Sequence, residues 1–479
     1  MSKKLIILQL NDSHGYLESH NEFYWDDGKE KYEEAGGFSR ISNYFKKVRN
    51  ENPDSVISLD NGDTIHGTYA AVKSKGNDLV PVLNRLDFDG FTAHWEFAYG
   101  PRHLLSLEKD LDYPLLACNC YFEEDDDLVF EPYRILNRNG LKVGVIGIAA
   151  TIVDKTMPEN FGKGIYLTLG RDELSKYVKD LRDEENVDLV VVVSHLGYPQ
   201  ELKMVEEVDG VDVFLSGHSH DRIYEPTERN NTIIIQSGCH GSFIGRLDLS
   251  IGNGIENYDH KLVSIDNSIS PDPKVKKMVE EIKKPYREYL DQIIGYTEIG
   301  LNRYRVMEST MDNLLLESLM DKTGADVAFS NGWRYGAPVE PGPIKMEDLW
   351  NIIPTNPPVS VCKISGEEIW DMMEENLEHT FSRNPYKQMG GYVKRCLGLN
   401  IYFKIENPEG KRIEEFFIEN NRLKKDKIYN AVFVTTQGIP EEYGHERKNL
   451  NESAIKTLRK YIEKKEKVNP KLRGTIVPI

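Results

Sequence analysis

The 479 residues suffice for about two to four folding units with a sizeable core. Hydrophobic residues make up 39% and charged residues 29%, a globular composition that excludes a disordered or fibrous chain. The formal net charge of −18 argues against nucleic acid and anionic membrane as partners, because polyanions select a basic footprint.

Leu5 to Leu10 is an apolar run that enters the fold directly. No apolar stretch approaches the roughly 18 residues of a membrane span and no leader pattern is present, so a cytoplasmic protein is expected. The runs Val56 to Leu59, Val143 to Ile148, Leu189 to Val193, Val213 to Leu215 and Thr232 to Ile235 follow. Bounded by Gly, Asp or Ser, they predict buried strands in a layered α/β arrangement. Cys118 and Cys120 share a face if their segment is a strand, where ordinary packing accounts for them. The five cysteines show no CxxC spacing and read as reduced thiols. Glu123 to Asp127 reads as a solvated acidic loop.

From Pro273 to Ile294 apolar residues recur at helical spacing, which predicts a long amphipathic helix kinked by Pro285. We place the first domain at 1–265, a linker helix at 266–295 and a second domain at 296–479. The second domain is expected to hold a helix near Met311 to Thr323, the loop Ser330 to Pro343, strands near Val359 to Ile364 and Leu399 to Lys404, and a basic helix from Asn451 to Lys467.

Almost every strand of the first domain leads into a polar cluster, and the carboxyl ends of strands are where open α/β sheets bind ligands. Asp12-Ser13-His14, Gly62-Asp63, His94, His195 and His218-Ser219-His220 bring carboxylates and imidazoles from five such ends. That set is enough for two divalent metals, with Asp63, alone between two clusters, suited to bridge them. Each Asp-x-His or His-x-His pair places both side chains on one side of an extended segment. Any one histidine alone would read as a loop residue. Seven of the 12 histidines, with His66 and His240 added to the five above, fall in these or adjoining segments.

Asn11-Asp12-Ser13-His14-Gly15, Asp60-Asn61-Gly62-Asp63, Ser194-His195-Leu196-Gly197 and Ser216-Gly217-His218-Ser219-His220 resemble the motif series of calcineurin-like metallophosphoesterases. The resemblance extends over both domains to the two-domain 5′-nucleotidase family, which includes UDP-sugar hydrolases and cyclic-nucleotide phosphodiesterases. Its second part rests on Glu308-Ser309-Thr310-Met311-Asp312-Asn313-Leu314, Ser330-Asn331-Gly332-Trp333-Arg334 and Asp348-Leu349-Trp350 followed by Pro354. It implies a β-sandwich flanked by helices, α/β in class, with a smaller α+β substrate-binding domain after it. By position, Asp12, His14, Asp63 and His220 would hold one metal and Asp63, His94, His195 and His218 the other, the ions being Mn, Zn or Fe.

The family usually reads Gly-Asn-His-Glu-Phe-Asp-Tyr-Gly where this chain has Ala93-His94-Trp95-Glu96-Phe97-Ala98-Tyr99-Gly100. His94 replaces a metal-binding Asn, and Trp95 and Ala98 replace a His-Asp dyad. Indole cannot take or give a proton at neutral pH, so help to a poor leaving group is lost, unless His66 or His240 supplies it. In the second domain the resemblance assigns substrate contacts to Asn331, Gly332 and Arg334, with Tyr392 and Tyr443 as candidates for base stacking. The expected function is hydrolysis of nucleotides or related phosphate esters or anhydrides by in-line attack of a metal-bound hydroxide. The alternative is a metal-containing nucleotide-binding protein with little turnover.

Overall fold

The computed structural model describes residues 2–479. Two compact units emerge: one runs to His20 and resumes from Glu34 to Pro285, the other takes Asn21–Glu33 and Tyr286–Ile479.

The first unit is built on two sheets. In one, Lys3–Leu10 lies parallel to Val56–Asp60, which continues to Gly90–Phe91, and antiparallel to Phe243–Ile251 and then Ile255–Ser264. In the other, Leu189–Ser194 lies parallel to both Leu141–Ile148 and Val213–Leu215, and Thr232–Ile235 extends the parallel run. Leu5, Ile7, Ile57 and Leu59 of the first sheet share a core with Val143, Val145, Val191, Val193 and Leu215 of the second. Alternate residues of the second sheet, among them Ile146, Val190, Val192 and Phe214, pack on Leu174, Val178, Met204 and Val205 of two helices. A strand covered on both faces must be apolar at every position, which is why these segments read as continuous runs. The helix Phe38–Glu51 buries Phe38, Ile41, Phe45 and Val48, at the spacing of one helical face.

The second unit has a five-stranded sheet in the order Arg395–Leu397, Val327–Ser330, Ile428–Val434, Pro358–Ser365, His445–Ser453. Helix Gly366–Phe381 lays Ile369, Met372, Met373 and Leu377 into a core with Phe329, Ile364, Phe433, Ile401 and Phe403. The Glu308 motif is structural: its carboxylate accepts from Asn313 Nδ2 and from the backbone N–H groups of Arg473, Gly474 and Thr475 at 2.7–3.2 Å, fixing the lead into the last strand.

Two helices differ from expectation at their ends. The predicted helix with a break at Pro285 is α-helical over Pro273–Lys283, capped by Asp272, tightens to a 3-10 turn over Lys284–Tyr286 and resumes as Arg287–Leu290; it ends short of Ile294, because Ile293–Thr297 is a strand. Pro285 has no N–H to donate, so the α-helical bonding breaks there. The basic helix starts at Ala454, since Asn451 to Ser453 finish a strand. The division between units falls at Pro285, inside the 266–295 stretch, and the hairpin residues Asn21–Glu33 go with the second unit, where Phe23 stacks on Tyr304 and Arg305 lies over Trp25. The acidic segment 123–127 is exposed, and all five cysteines are buried and in no disulfide. Among the described residues no helix is long and apolar enough to cross a membrane.

Candidate active site

Each proposed ligand follows the carboxyl end of a parallel strand. Asp12 and His14 follow Leu10, Asp63 follows Asp60, His94 follows Phe91, His195 follows Ser194, and His218 and His220 follow Leu215. The turns are tight: Asp12, His14, Asp63, His218, His220 and also His240 have φ between 48° and 69°. Non-glycine residues rarely adopt that region, and such strain gathers at functional sites. Gly62 is obligatory here, since its φ is 87° and a Cβ would lie 2.4 Å from the Thr92 carbonyl oxygen.

The structure brings these side chains into two groups that share Asp63: Asp12, His14, Asp63 and His220, and Asp63, His94, His195 and His218. Asp63 Oδ2 lies 3.1 Å from His94 Nδ1, 3.3 Å from His195 Nε2 and 3.8 Å from His14 Nε2. Asp12 Oδ1 lies 3.2 Å from His220 Nε2 and 3.4 Å from His195 Nε2. His14 Nε2 faces His220 Nε2 at 3.2 Å. His195 donates from Nδ1 to the Asn61 carbonyl at 2.6 Å, which turns the Nε2 lone pair toward the two carboxylates.

Lone pairs aimed at lone pairs in a dry site require a cation. Asp12 Oδ1, His94 Nε2 and His195 Nε2 are buried without a hydrogen-bond partner, so the donor set fits divalent metals. Without a cation, the carboxylates draw protons onto ring nitrogens in its place. Burial opposes charge on Asp12, yet His195 and His220 outweigh it and bring the carboxyl down to about 2. Burial also opposes charge on His195, but Asp63 and Asp12 push the imidazole up to about 10. Burial holds His14 well below the usual imidazole range.

Glu96, read from sequence only as a register marker, has a structural task at the site. Its carboxylate accepts from the N–H groups of His94 at 2.8 Å, Thr64 at 2.7 Å and Asp63 at 3.2 Å, tying two ligand loops together. Trp95 donates its backbone N–H to Asp63 Oδ1 at 2.7 Å, while its buried indole stacks on His66 at 4.6 Å and meets Phe161 edge-on. Burial pushes His66 down to about 4. His240 donates its backbone N–H to the Asp12 carbonyl, and its ring lies 6.0 Å from that of His14.

In the second unit the loops 330–335 and 390–394 run against each other. Tyr392 N donates to the Gly332 carbonyl at 2.9 Å, and a Cβ at Gly332 would come within 2.5 Å of the Tyr392 carbonyl oxygen. Arg334 donates to the Gly391 carbonyl at 3.0 Å and lies over the Tyr392 ring. Asn331 Nδ2 donates to Gln437 Oε1 at 3.2 Å. Tyr443 packs against the core and donates its hydroxyl to Glu375 at 3.0 Å. Beneath lies a group that the sequence did not reveal. Buried Asp312 receives Arg303 through Nε and Nη2 at 3.0 and 2.9 Å, and Arg395 Nε lies 3.1 Å from its second oxygen. Arg303 also donates to the Tyr335 carbonyl and lies over Trp333.

Residues 5–222 match the calcineurin-like phosphoesterase family and residues 291–437 match the 5′-nucleotidase C-terminal domain. The trifunctional nucleotide phosphoesterase YfkN of Bacillus subtilis is 23% identical over 87% of this chain, which spans 30% of that protein. A sulfate thiohydrolase, SoxB, of Thermus thermophilus superposes with a TM-score of 0.92 at 21% identity, covering 99% of this chain and 96% of that one. A 5′-nucleotidase precursor of the same species gives 0.87 at 23% identity, with 99% of each chain covered. The chain therefore belongs to the hydrolase family that joins a calcineurin-like phosphoesterase domain to a 5′-nucleotidase C-terminal domain.

Proposed function

We propose that this chain hydrolyses phosphate anhydrides or activated phosphate esters, nucleotides among them, with two divalent cations held by the groups that share Asp63. The supporting observation is the convergence of His14, His94 and His195 ring nitrogens within 3.8 Å of one Asp63 oxygen. Bound there, Mn, Zn or Fe would supply Lewis-acid neutralisation of charge on a phosphoryl group. The chain's own residues prepare the site. Asn61 orients His195, Glu96 sets the spacing of the Asp63 and His94 loops, and burial excludes bulk water. In this reading the first unit carries the chemistry, and Arg334, Asn331 and Gly332 of the second unit take part in substrate recognition.

The leaving-group preference rests on Trp95 and Ala98. An indole stacked on His66 and a methyl group provide no proton, and the remaining candidates, His66 and His240, stand outside the two groups that share Asp63. Alkoxides need protonation as they leave, whereas phosphate and phenolate do not, so anhydrides and aryl esters are favoured over nucleoside monophosphates. A thiolate is a third leaving group of that kind. One structural relative is named a sulfate thiohydrolase, so a sulfuryl group on sulfur is the second reading. Five reduced thiols favour a reducing compartment such as the cytoplasm.

The test is release of phosphate or sulfate from a panel of nucleoside mono-, di- and triphosphates, nucleoside diphosphate sugars, cyclic nucleotides and an S-sulfonated thiol, with Mn, Zn and Fe(II). Anhydride cleavage well above monoester cleavage is expected. Binding of the panel without release would replace the hydrolase reading by that of a binding protein.

A further inference from the structure

The cations of the second unit fall into two kinds. Arg303 and Arg395 are engaged inside the fold: they share Asp312, and their other donors reach the carbonyls of Tyr335, Ile352, Val306 and Arg305 at 2.8–2.9 Å. Lys394 is also buried, with 6% of its surface exposed, but it is not engaged in that way. Its Nζ donates to the backbone carbonyl of Gln437, and among the described residues no carboxylate lies within ion-pair distance, in a chain with 78 Asp and Glu. An ammonium has three donors, and a buried charge is costly unless compensated. Burial accordingly pushes Lys394 down to about 8. Gln437 is also the partner of Asn331, so Lys394 and Asn331 converge on one residue.

The aromatic candidates beside them have other work. The guanidinium groups of Arg334 and Arg395 lie over the Tyr392 ring, 5.4 and 5.0 Å from its centroid. Tyr443 is packed on the core and bonded to Glu375. Asn331, Arg334, Tyr392 and Gln437 are only half-buried, so solution reaches this corner from their side. Glu375 and Glu442 favour the charge on Lys394 from beyond ion-pair distance and offset only part of its burial, while Arg334 and Arg395 add positive charge beside Tyr392.

We propose that Lys394, with Asn331 and Arg334, binds an anionic oxygen of the substrate, carboxylate or phosphate, so that the second unit selects an acidic group and not a nucleobase. The inference rests on the hydrolase reading above and narrows its substrate class. A neutral or aromatic ligand would leave the buried ammonium uncompensated; an oxyanion fills its remaining donor directions.

The test uses the full chain loaded with Mn and three chromogenic substrates: para-nitrophenyl phosphate and its analogues bearing a meta carboxylate or a meta phosphonomethyl group. The wild type should show a KM about 10-fold lower for an acidic analogue than for the plain ester, as a charge-assisted hydrogen bond allows. The two analogues distinguish carboxylate from phosphate. Lys394→Gln keeps a donor for the Gln437 carbonyl and should abolish the preference, while Lys394→Arg, which keeps the charge, should retain it. Equal KM values in the wild type would overturn the proposal, as would equal increases on all three substrates in Lys394→Gln. So would a KM for AMP about 10-fold or more below that for its base-free ribose phosphate. If no aryl phosphate is cleaved, the activated-ester part of the hydrolase reading fails by itself. Calorimetric binding of the carboxylated analogue to wild type and Lys394→Gln then decides the site, and equal affinity rejects it.

Discussion

The strand ends of the first unit and the arginine cluster of the second treat buried charge in opposite ways. Around Asp63, carboxylate oxygens and imidazole nitrogens point at one another, and several have no donor to share. Around Asp312, two guanidiniums meet one carboxylate and a set of carbonyls, so nearly every donor has an acceptor. A cluster of acceptors without donors needs a ligand from outside, whereas a cluster that compensates itself is part of the scaffold. Buried polar residues occur in both places; what separates function from support is whether the charges close.

The largest test of that contrast is Asp63→Asn. If Asp63 serves both groups, its amide should cost more metal than loss of any other single ligand and should remove metal-dependent turnover altogether. Elemental analysis of the purified variant checks this. Two metals per chain retained would refute the shared role.

Restoring Trp95→His with Ala98→Asp should act in the other direction, raising turnover of nucleoside monophosphates by up to roughly 10²- to 10⁴-fold with little change on anhydrides. Trp95 is buried against His66 and Phe161, and truncating such a ring typically costs about 3–5 kcal/mol, so melting must be followed on the same protein. A folded, metal-replete double variant with no gain on monoesters would mean that another group, His66 or His240, already provides the proton.

Asp312→Ala probes the closed cluster. It leaves Arg303 and Arg395 buried without their shared carboxylate and should destabilise the chain by about 3–5 kcal/mol, read by urea denaturation. Metal content at low temperature should be preserved. A variant of unchanged stability would show that the two guanidiniums are satisfied by carbonyls alone.

The two clusters also differed in how far the sequence revealed them. The ligands of the first unit come as short motifs directly after apolar runs, and parallel strands buried on both faces make those runs conspicuous. The strands Phe243–Ile251 and Ile255–Ser264 escaped notice because Arg246, Asp248 and Ser250 alternate with apolar residues and the second strand is largely exposed or half-exposed. Arg303, Asp312 and Arg395 are brought together only by tertiary folding, so no local spacing marks them. Lys394 was unreadable for a related reason: lysine is ordinarily a surface residue, and nothing adjacent in the chain signals that this one is buried. The break at Pro285 is legible because proline lacks an N–H, whereas the end of the helical segment at Leu290 is not, since the apolar spacing runs on into the strand Ile293–Thr297.

The smallest effect is expected from Glu96→Gln, which sharpens the comparison from inside the metal region. Glu96 is a carboxylate there whose bonds are closed, since its oxygens accept the N–H groups of Asp63, Thr64 and His94. Burial, joined by the Asp63 carboxylate, raises its pKa, and the N–H groups of His94 and Thr64 counter the shift by favouring the charged form. Glutamine has nearly the same shape, so the loops should fold, but its amide nitrogen would face backbone N–H groups and one side of the tie would be lost. Metal affinity should fall by roughly 10- to 100-fold, the usual cost of changing a group that supports ligands without binding the metal. Competition with a chromophoric chelator measures it, and melting of the metal-free protein separates ligand positioning from folding. An unchanged affinity with a lower melting temperature would place Glu96 with Asp312 as a residue of the scaffold, and the line between the two clusters would then run through the Glu96 carboxylate.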